Sequence, residues 1–258
     1  DGLVFSQDSN IRVTKTRKFI EPLDSIPLPA WHLVNKNYFK RNALVTFGEF
    51  GRHGVILTSR GCPYNCVFCS TRKLWYKVRF HSPEYVLNQI ADLVYNYKVS
   101  HIQIWDDLFV VNKERLENIV SLFEDSSLKG RVKFNCQPRA NLINDEICEL
   151  LKRMDCKIVL LGFESGSDRI LKYLKGDNVT VEQNKNAIKT CVKHGIKVQG
   201  SVIFGSPTET MEDKQKTLDF IDFAYANGAN RIWSFVMTPF PATKMWEIVK
   251  EKGAVSDD

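Results

Sequence analysis

The chain has 258 residues, 43% hydrophobic and 26% charged, ordinary proportions for a globular protein with room for a sizeable core. No apolar run reaches membrane-spanning length and no basic-then-apolar leader is present, so it reads as cytoplasmic; seven unevenly spaced cysteines exclude a disulfide framework. The net charge of +6 raises a nucleic-acid partner, but outside residues 72–79 the lysines are scattered over helix faces, and nucleic acid is not the expected partner.

The chain opens on Asp1 and reads as a piece of a longer protein. Residues 1–42 show no clean period. Pro22, Pro27 and Pro29 each remove a backbone donor and restrict the residue before them, which predicts an extended linker. From residue 54 onward β-branched runs alternate with amphipathic helical patterns, the mark of parallel βα units. Strands are predicted over residues 55–59, 101–105, 131–135, 157–162, 197–204 and 231–237. Between them apolar stripes predict buried helix faces: Leu87, Ile90, Ala91 and Val94, then Leu116, Ile119, Val120 and Phe123, then Ile147, Leu150, Leu151 and Met154. Ser82 before Pro83, and Thr210 three residues before Asp213, read as helix starts. Six such units predict an α/β fold, a partial (β/α)6 TIM-like barrel of parallel strands over residues 43–252, preceded by the proline-containing linker at 1–42 and followed by a tail at 253–258.

In parallel barrels the reactive groups sit at the carboxyl ends of the strands. Polar residues fall in those places: a cysteine loop after the first strand, Asp106 and Asp107 after the second, Arg139 after the third, Glu164 and Ser165 after the fourth, Gly205 after the fifth and Thr238 after the sixth. The loop, Gly61-Cys62-Pro63-Tyr64-Asn65-Cys66-Val67-Phe68-Cys69, carries three soft thiolate ligands. A structural zinc site closes with a fourth protein ligand, whereas a 4Fe-4S cluster on three thiolates leaves one iron open for chemistry. A zinc site completed by His53 or His81, or a set of unligated core thiols, is the alternative. Cys136, Cys148, Cys156 and Cys191 read as small core residues, with Cys136 placed at a strand end facing the mouth.

Cys62-x-x-x-Cys66-x-x-Cys69, with aromatic Phe68 before the last cysteine, resembles the signature of the radical S-adenosylmethionine (radical SAM) enzymes. That resemblance implies a 4Fe-4S cluster on Cys62, Cys66 and Cys69 whose open iron chelates S-adenosylmethionine. An electron then cleaves the sulfonium to methionine and a 5'-deoxyadenosyl radical that abstracts hydrogen from a small-molecule substrate. It also implies cofactor contacts at Phe68, at Asp106 and Asp107 for the ammonium, at Arg139 for the carboxylate, at Glu164 and Ser165 for the ribose, and at Gly205 for the adenine. Here the chain departs from the family's letters, since its second-strand motif is more often two glycines and a glutamate, and Ala242 stands where glycine is usual after the sixth strand. Residues 20–31 resemble the connector to a cobalamin-binding domain in the cobalamin-dependent branch, which implies cobalamin through an upstream domain outside this chain, methyl transfer or cyclisation as the reaction, and an electron donor such as flavodoxin or ferredoxin. A methylthiotransferase acting on tRNA or protein, and a non-enzymatic zinc or electron-transfer module, are the other classes that share the cysteines.

Overall fold

The computed structural model describes residues 1–40 and 50–253, so the expected boundary at 42/43 and residues 254–258 of the expected tail lie outside the described residues. The first element is one that periodicity did not announce. β1 (Val4–Gln7) pairs antiparallel with β2 (Asn10–Val13) across a turn in which Asp8 and Ser9 hold φ of 50° and 63°. Every residue of both strands is exposed, so no face requires apolar alternation and no strand pattern is written into the sequence.

Residues 14–40 form nothing longer than short 3-10 turns, and they are strapped down. Arg79 donates to the Ile20 carbonyl at 3.0 Å, the Tyr85 hydroxyl to that of Ile26 at 2.9 Å, and Asp24 accepts from the Ser82 N–H at 3.0 Å. Leu23 is buried.

The remaining elements follow in order: β3 (His53–Ile56), β4 (Ser59–Arg60), α1 (Thr71–Leu74), β5 (Arg79–Phe80), α2 (Pro83–Tyr97), β6 (His101–Ile104), α3 (Lys113–Glu124), β7 (Lys133–Cys136), α4 (Asp145–Arg153), β8 (Cys156–Glu164), α5 (Asp168–Lys175), α6 (Val181–Lys193), β9 (Lys197–Phe204), α7 (Met211–Ala226), β10 (Arg231–Val236) and α8 (Lys244–Glu251). Six strands pair in the order β10-β9-β8-β7-β6-β3, every pair parallel. β3 and β10 do not pair with each other, so the sheet is an open barrel, the partial (β/α)6 architecture that the sequence predicts.

Helix starts obey local chemistry. Ser82 accepts from the Tyr85 N–H with Pro83 in the first turn of α2, and Thr210 and Asp213 form a reciprocal capping box at α7. The α3 stripe of Leu116, Ile119, Val120 and Phe123 is buried as expected; at roughly 1.5–3 kcal/mol per side chain this face holds the helix on the sheet. On α2 the buried stripe is Val86, Ile90, Leu93 and Val94, rotated from the expected one, with Leu87 and Ala91 at its margin. Strand alternation sorts the sheet into two faces. Ile102, Ile104, Phe134, Val159, Leu161 and Val198 enter the core under the helices, while Gln137, Leu160, Ser201, Trp233 and Phe235 line the lumen.

Among the strand boundaries that differ from expectation, two do so for an identifiable physical reason. β3 stops at Ile56 because Gln89 takes the Leu57 carbonyl and Asp106 takes Thr58, which lifts the chain off the sheet; Ser59 pairs instead with Phe80 in the β4–β5 ladder. β8 continues through Glu164, which therefore ends the strand rather than following it.

Candidate active site

The cysteine loop is built between β4 and α1. Gly61 enters it at φ +96°, and a Cβ there would stand 2.8 Å from the Lys77 carbonyl, so only glycine makes this approach. The Val67 N–H donates to the Leu174 carbonyl at 2.9 Å and the Met245 N–H to that of Val67 at 2.8 Å, seating the loop against α5 and the start of α8. Cys62 and Cys66 are half-buried and Cys69 is exposed.

Asp106 and Asp107 hold the base of this loop. Asp106 is buried at 1% exposure and accepts from the Thr58 N–H at 2.6 Å, the Thr58 hydroxyl, and the Ser59 hydroxyl at 2.7 Å. Burial pushes its carboxyl above the ordinary value against those bonds. Asp107 accepts from the Gly61 N–H and the Thr71 hydroxyl, each at 3.0 Å. The expectation that this pair receives a cofactor ammonium is corrected for Asp106, whose oxygens are filled from within the chain. Arg115 completes the foundation, donating to the Thr58 carbonyl at 2.8 Å and the His81 carbonyl at 3.1 Å.

Arg139 is likewise not an open carboxylate clamp. It is buried, with its guanidinium 3.9 Å from the Tyr64 ring centroid, and it donates to the Cys66 sulfur at 3.3 Å, to Asn141 Oδ1 at 3.1 Å and to the Lys175 carbonyl at 3.4 Å. Asn141 donates in turn to the Tyr64 hydroxyl at 3.3 Å.

Glu164 sits at φ +63° with its carboxylate folded back over Gly162, where a Cβ would meet Oε1 at 2.3 Å. Lys175, buried at the end of α5, reaches Glu164 Oε1 at 3.2 Å and the Gly162 carbonyl at 2.5 Å. Sequence reasoning missed Lys175, because a lysine in the last turn of a helix ordinarily serves the helix dipole in solvent. Ser165 is corrected: it is fully buried, bonded to the Thr217 hydroxyl at 3.1 Å, and belongs to the packing of α7. Gly205 turns at φ +84° and donates to Glu209 Oε2 at 2.6 Å, so Glu209 holds the turn. Ala242, where glycine was expected, holds φ +64°.

Phe68, Gln137, Gly162, Glu164, Ser201 and Met237 contribute to a cavity of about 700 Å³ at the carboxyl ends of the strands, walled on the β10 side by Trp233 and Phe235. Cys136 lies outside it, fully buried with its sulfur 3.9 Å from that of Cys156, which removes the idea of a thiol facing the mouth. The aromatic residues of the basic stretch at 72–79 clasp the linker: Phe19 stacks on Tyr76 at 4.6 Å and meets Trp75 at 5.4 Å, and Arg79 lies 4.2 Å over Phe19.

Burial, reinforced by the neighbouring Cys66 and Cys69, pushes the Cys62 thiol up, while the Arg139 charge draws it down. Three soft sulfur ligands on one short loop beside one cation suit an iron-sulfur cluster, which would take them as thiolates. Among the described residues no three His, Cys, Asp or Glu side chains converge on a single ion. The zinc alternative also loses its fourth ligand: His81 is bonded to Asp24 at 3.0 Å and stacked on Tyr85, and His53 opens β3 beside His101, at the opposite end of the strands.

Residues 56–221 match the family model of the Radical SAM superfamily. Among curated proteins the chain is 34% identical over 253 residues to the uncharacterized methyltransferase PH0819 of Pyrococcus horikoshii, covering 95% of this chain and 51% of that protein. It is 28% identical over 220 residues to the cytidylyl-2-hydroxyethylphosphonate methyltransferase of Streptomyces wedmorensis, covering 81% of this chain and 40% of that protein. The chain thus spans about half the length of these relatives, or less. Among solved structures it is similar to the radical S-adenosylmethionine methyltransferase TsrM from Kitasatospora setae with cobalamin and 4Fe-4S cluster bound, at TM-score 0.71 and 21% identity over 79% of this chain and 38% of that one. At that identity the likeness is one of fold.

Proposed function

The chain belongs to the radical SAM superfamily, and from that premise we propose that it is the radical-forming half of a cobalamin-dependent methyltransferase. Family membership brings a 4Fe-4S cluster and S-adenosylmethionine. Cys62, Cys66 and Cys69 would hold the cluster, which when bound supplies the electron that cleaves S-adenosylmethionine to methionine and a 5'-deoxyadenosyl radical.

This chain's own residues do the rest by position and charge. Asp106, Asp107 and Arg115 keep the loop in one shape. Arg139 faces the Cys66 sulfur and so stabilises charge on it. Glu164, neutralised in part by Lys175, presents an acceptor on the cavity wall where ribose hydroxyls would bind. Phe68, Trp233 and Phe235 give the space a carbon radical must cross an apolar wall.

The observation that carries this reading is a three-thiol loop with an arginine on its central sulfur, at the mouth of a strand-end cavity. The methyltransferase reading is supported by the names of the two relatives and by an alignment with one of them that covers 95% of the chain and so takes in most of the linker. On this reading residues 1–42 join an upstream cobalamin-binding domain and a reduced flavodoxin or ferredoxin delivers the electron. No helix among the described residues is long and apolar enough to cross a membrane. Anaerobic reconstitution with iron and sulfide, then S-adenosylmethionine and a strong reductant, should yield 5'-deoxyadenosine from the parent and none from Cys66→Ala. Corrinoid binding by a chain with its upstream sequence restored tests the subfamily, and failure to bind any corrinoid would remove it.

A further inference from the structure

Two stretches far apart in the sequence carry charge of one sign. Residues 11–20 and 70–79 each hold four lysines or arginines, and neither contains an aspartate or glutamate. Those eight cations exceed the chain's net charge of +6, so the rest of the chain is slightly acidic. The fold brings the two stretches together: Phe19 stacks on Tyr76, and Arg17, Lys18, Arg60 and Arg79 line one hollow of about 310 Å³ with Phe19 and Trp75. No carboxylate lines it, and among the described residues none of these four cations is in an ion pair; Glu21, the nearest acid in sequence, is taken by Lys77 at 2.6 Å. Like charges gathered without counter-charges repel one another, and an anionic partner relieves that repulsion.

The patch brackets the cysteine loop. Arg60 stands two residues before Cys62, which keeps their Cα atoms within about 7 Å, and Arg72 stands three residues after the exposed Cys69. None of these cations lines the strand-end cavity, so a partner seated on them meets the loop from outside it. The rings of Phe19 and Trp75 are taken by each other, by Arg60 and by Arg79, which favours an acidic protein over a nucleic acid whose bases would stack on them.

We propose that this cationic face is the docking surface of the electron-carrier protein, a partner of acidic surface that sits on Arg17, Lys18, Arg60, Arg72 and Lys73 beside the cysteine loop. The proposal rests on the radical SAM reading of that loop. One electron leaves the carrier and enters the cluster; no bond forms or breaks and no proton moves.

The test is calorimetric titration of the reconstituted protein with oxidised flavodoxin, an acidic protein, at low and at moderate salt. The parent should bind, and about tenfold more weakly at the higher salt. Arg17→Glu with Lys18→Glu should lose about tenfold at low salt while melting as the parent does, both side chains being exposed. Lys189→Glu with Lys197→Glu, the same change of charge on exposed lysines of α6 and β9, should bind as the parent does. No binding by the parent, salt-independent binding, or equal losses in the two double variants overturns the proposal. So does an oligoribonucleotide that binds more tightly than flavodoxin and is lost with Arg17→Glu and Lys18→Glu. Deoxyadenosine formation driven by photoreduced deazariboflavin, a small reductant that needs no docking surface, reports separately on the radical site. Its absence from the parent sinks that reading, whereas its presence with flavodoxin binding unmoved by the substitutions sinks only this one.

Discussion

The two edges of the open sheet are built on opposite principles. At the β3 edge, buried polar and charged side chains, Asp106, Arg115 and Arg79, are bonded to backbone atoms at the base of the cysteine loop or in the linker. At the β10 edge the wall is apolar and uncovered, with Phe235 55%, Val236 77% and Phe240 60% exposed. One edge is a fixed frame and the other a receptive face. A group that must be held to a fraction of an ångström belongs on the first, and whatever varies, substrate or covering segment, belongs on the second.

That contrast can be broken most severely at the loop. Cys66→Ala should abolish the visible iron-sulfur absorbance of the reconstituted protein together with deoxyadenosine formation. Next in size, Asp106→Ala should lower stability by about 3 kcal/mol in urea melts, because it strands the buried Thr58 and Ser59 donors. Lys175→Met, which leaves Glu164 buried without its cation, should cost about 2 kcal/mol and weaken S-adenosylmethionine binding measured by calorimetry. Smaller again is the effect of acid on Asp213, whose carboxyl is held well below the ordinary 3.8 by the Ser167 hydroxyl, the Thr210 N–H and Arg169. A depressed carboxyl adds stability above 3.8 and loses it as pH falls from there toward the folded value. Asp213→Asn should therefore melt below the parent at neutral pH by about 1 kcal/mol, with the gap closing in acid. Smallest of all, Phe235→Ser and Val236→Thr should change stability by no more than about 0.5 kcal/mol, since neither side chain belongs to the core; a large loss would erase the distinction between the edges.

The same contrast explains what was legible in the sequence. Strands, helix stripes and caps follow from neighbours within a few residues, and so does the cysteine loop; all were readable. The placing of polar residues at strand ends was readable as well, but their partners were not. Asp106 and Asp107 look like open carboxylates until the fold brings Thr58 and Gly61 to them, and Lys175 looks solvated until α5 turns its end under Glu164. Arg139 could be assigned to a cofactor carboxylate only while the path of Tyr64 and Cys66 was unknown. Long-range hydrogen bonding, which leaves no period, is what composition and spacing do not carry.

The anchoring of the loop by residues far downstream sets an order of events at birth. Gly61 is fixed by Asp107, 46 residues later, and Thr58 by Asp106, 48 residues later. While the nascent chain is threaded through the ribosome, the three cysteines emerge before either anchor has been made, so the thiols exist for a time without the frame that shapes them. The loop's shape is therefore complete only once the second βα unit has left the tunnel, a property written into the two aspartates rather than into the cysteines.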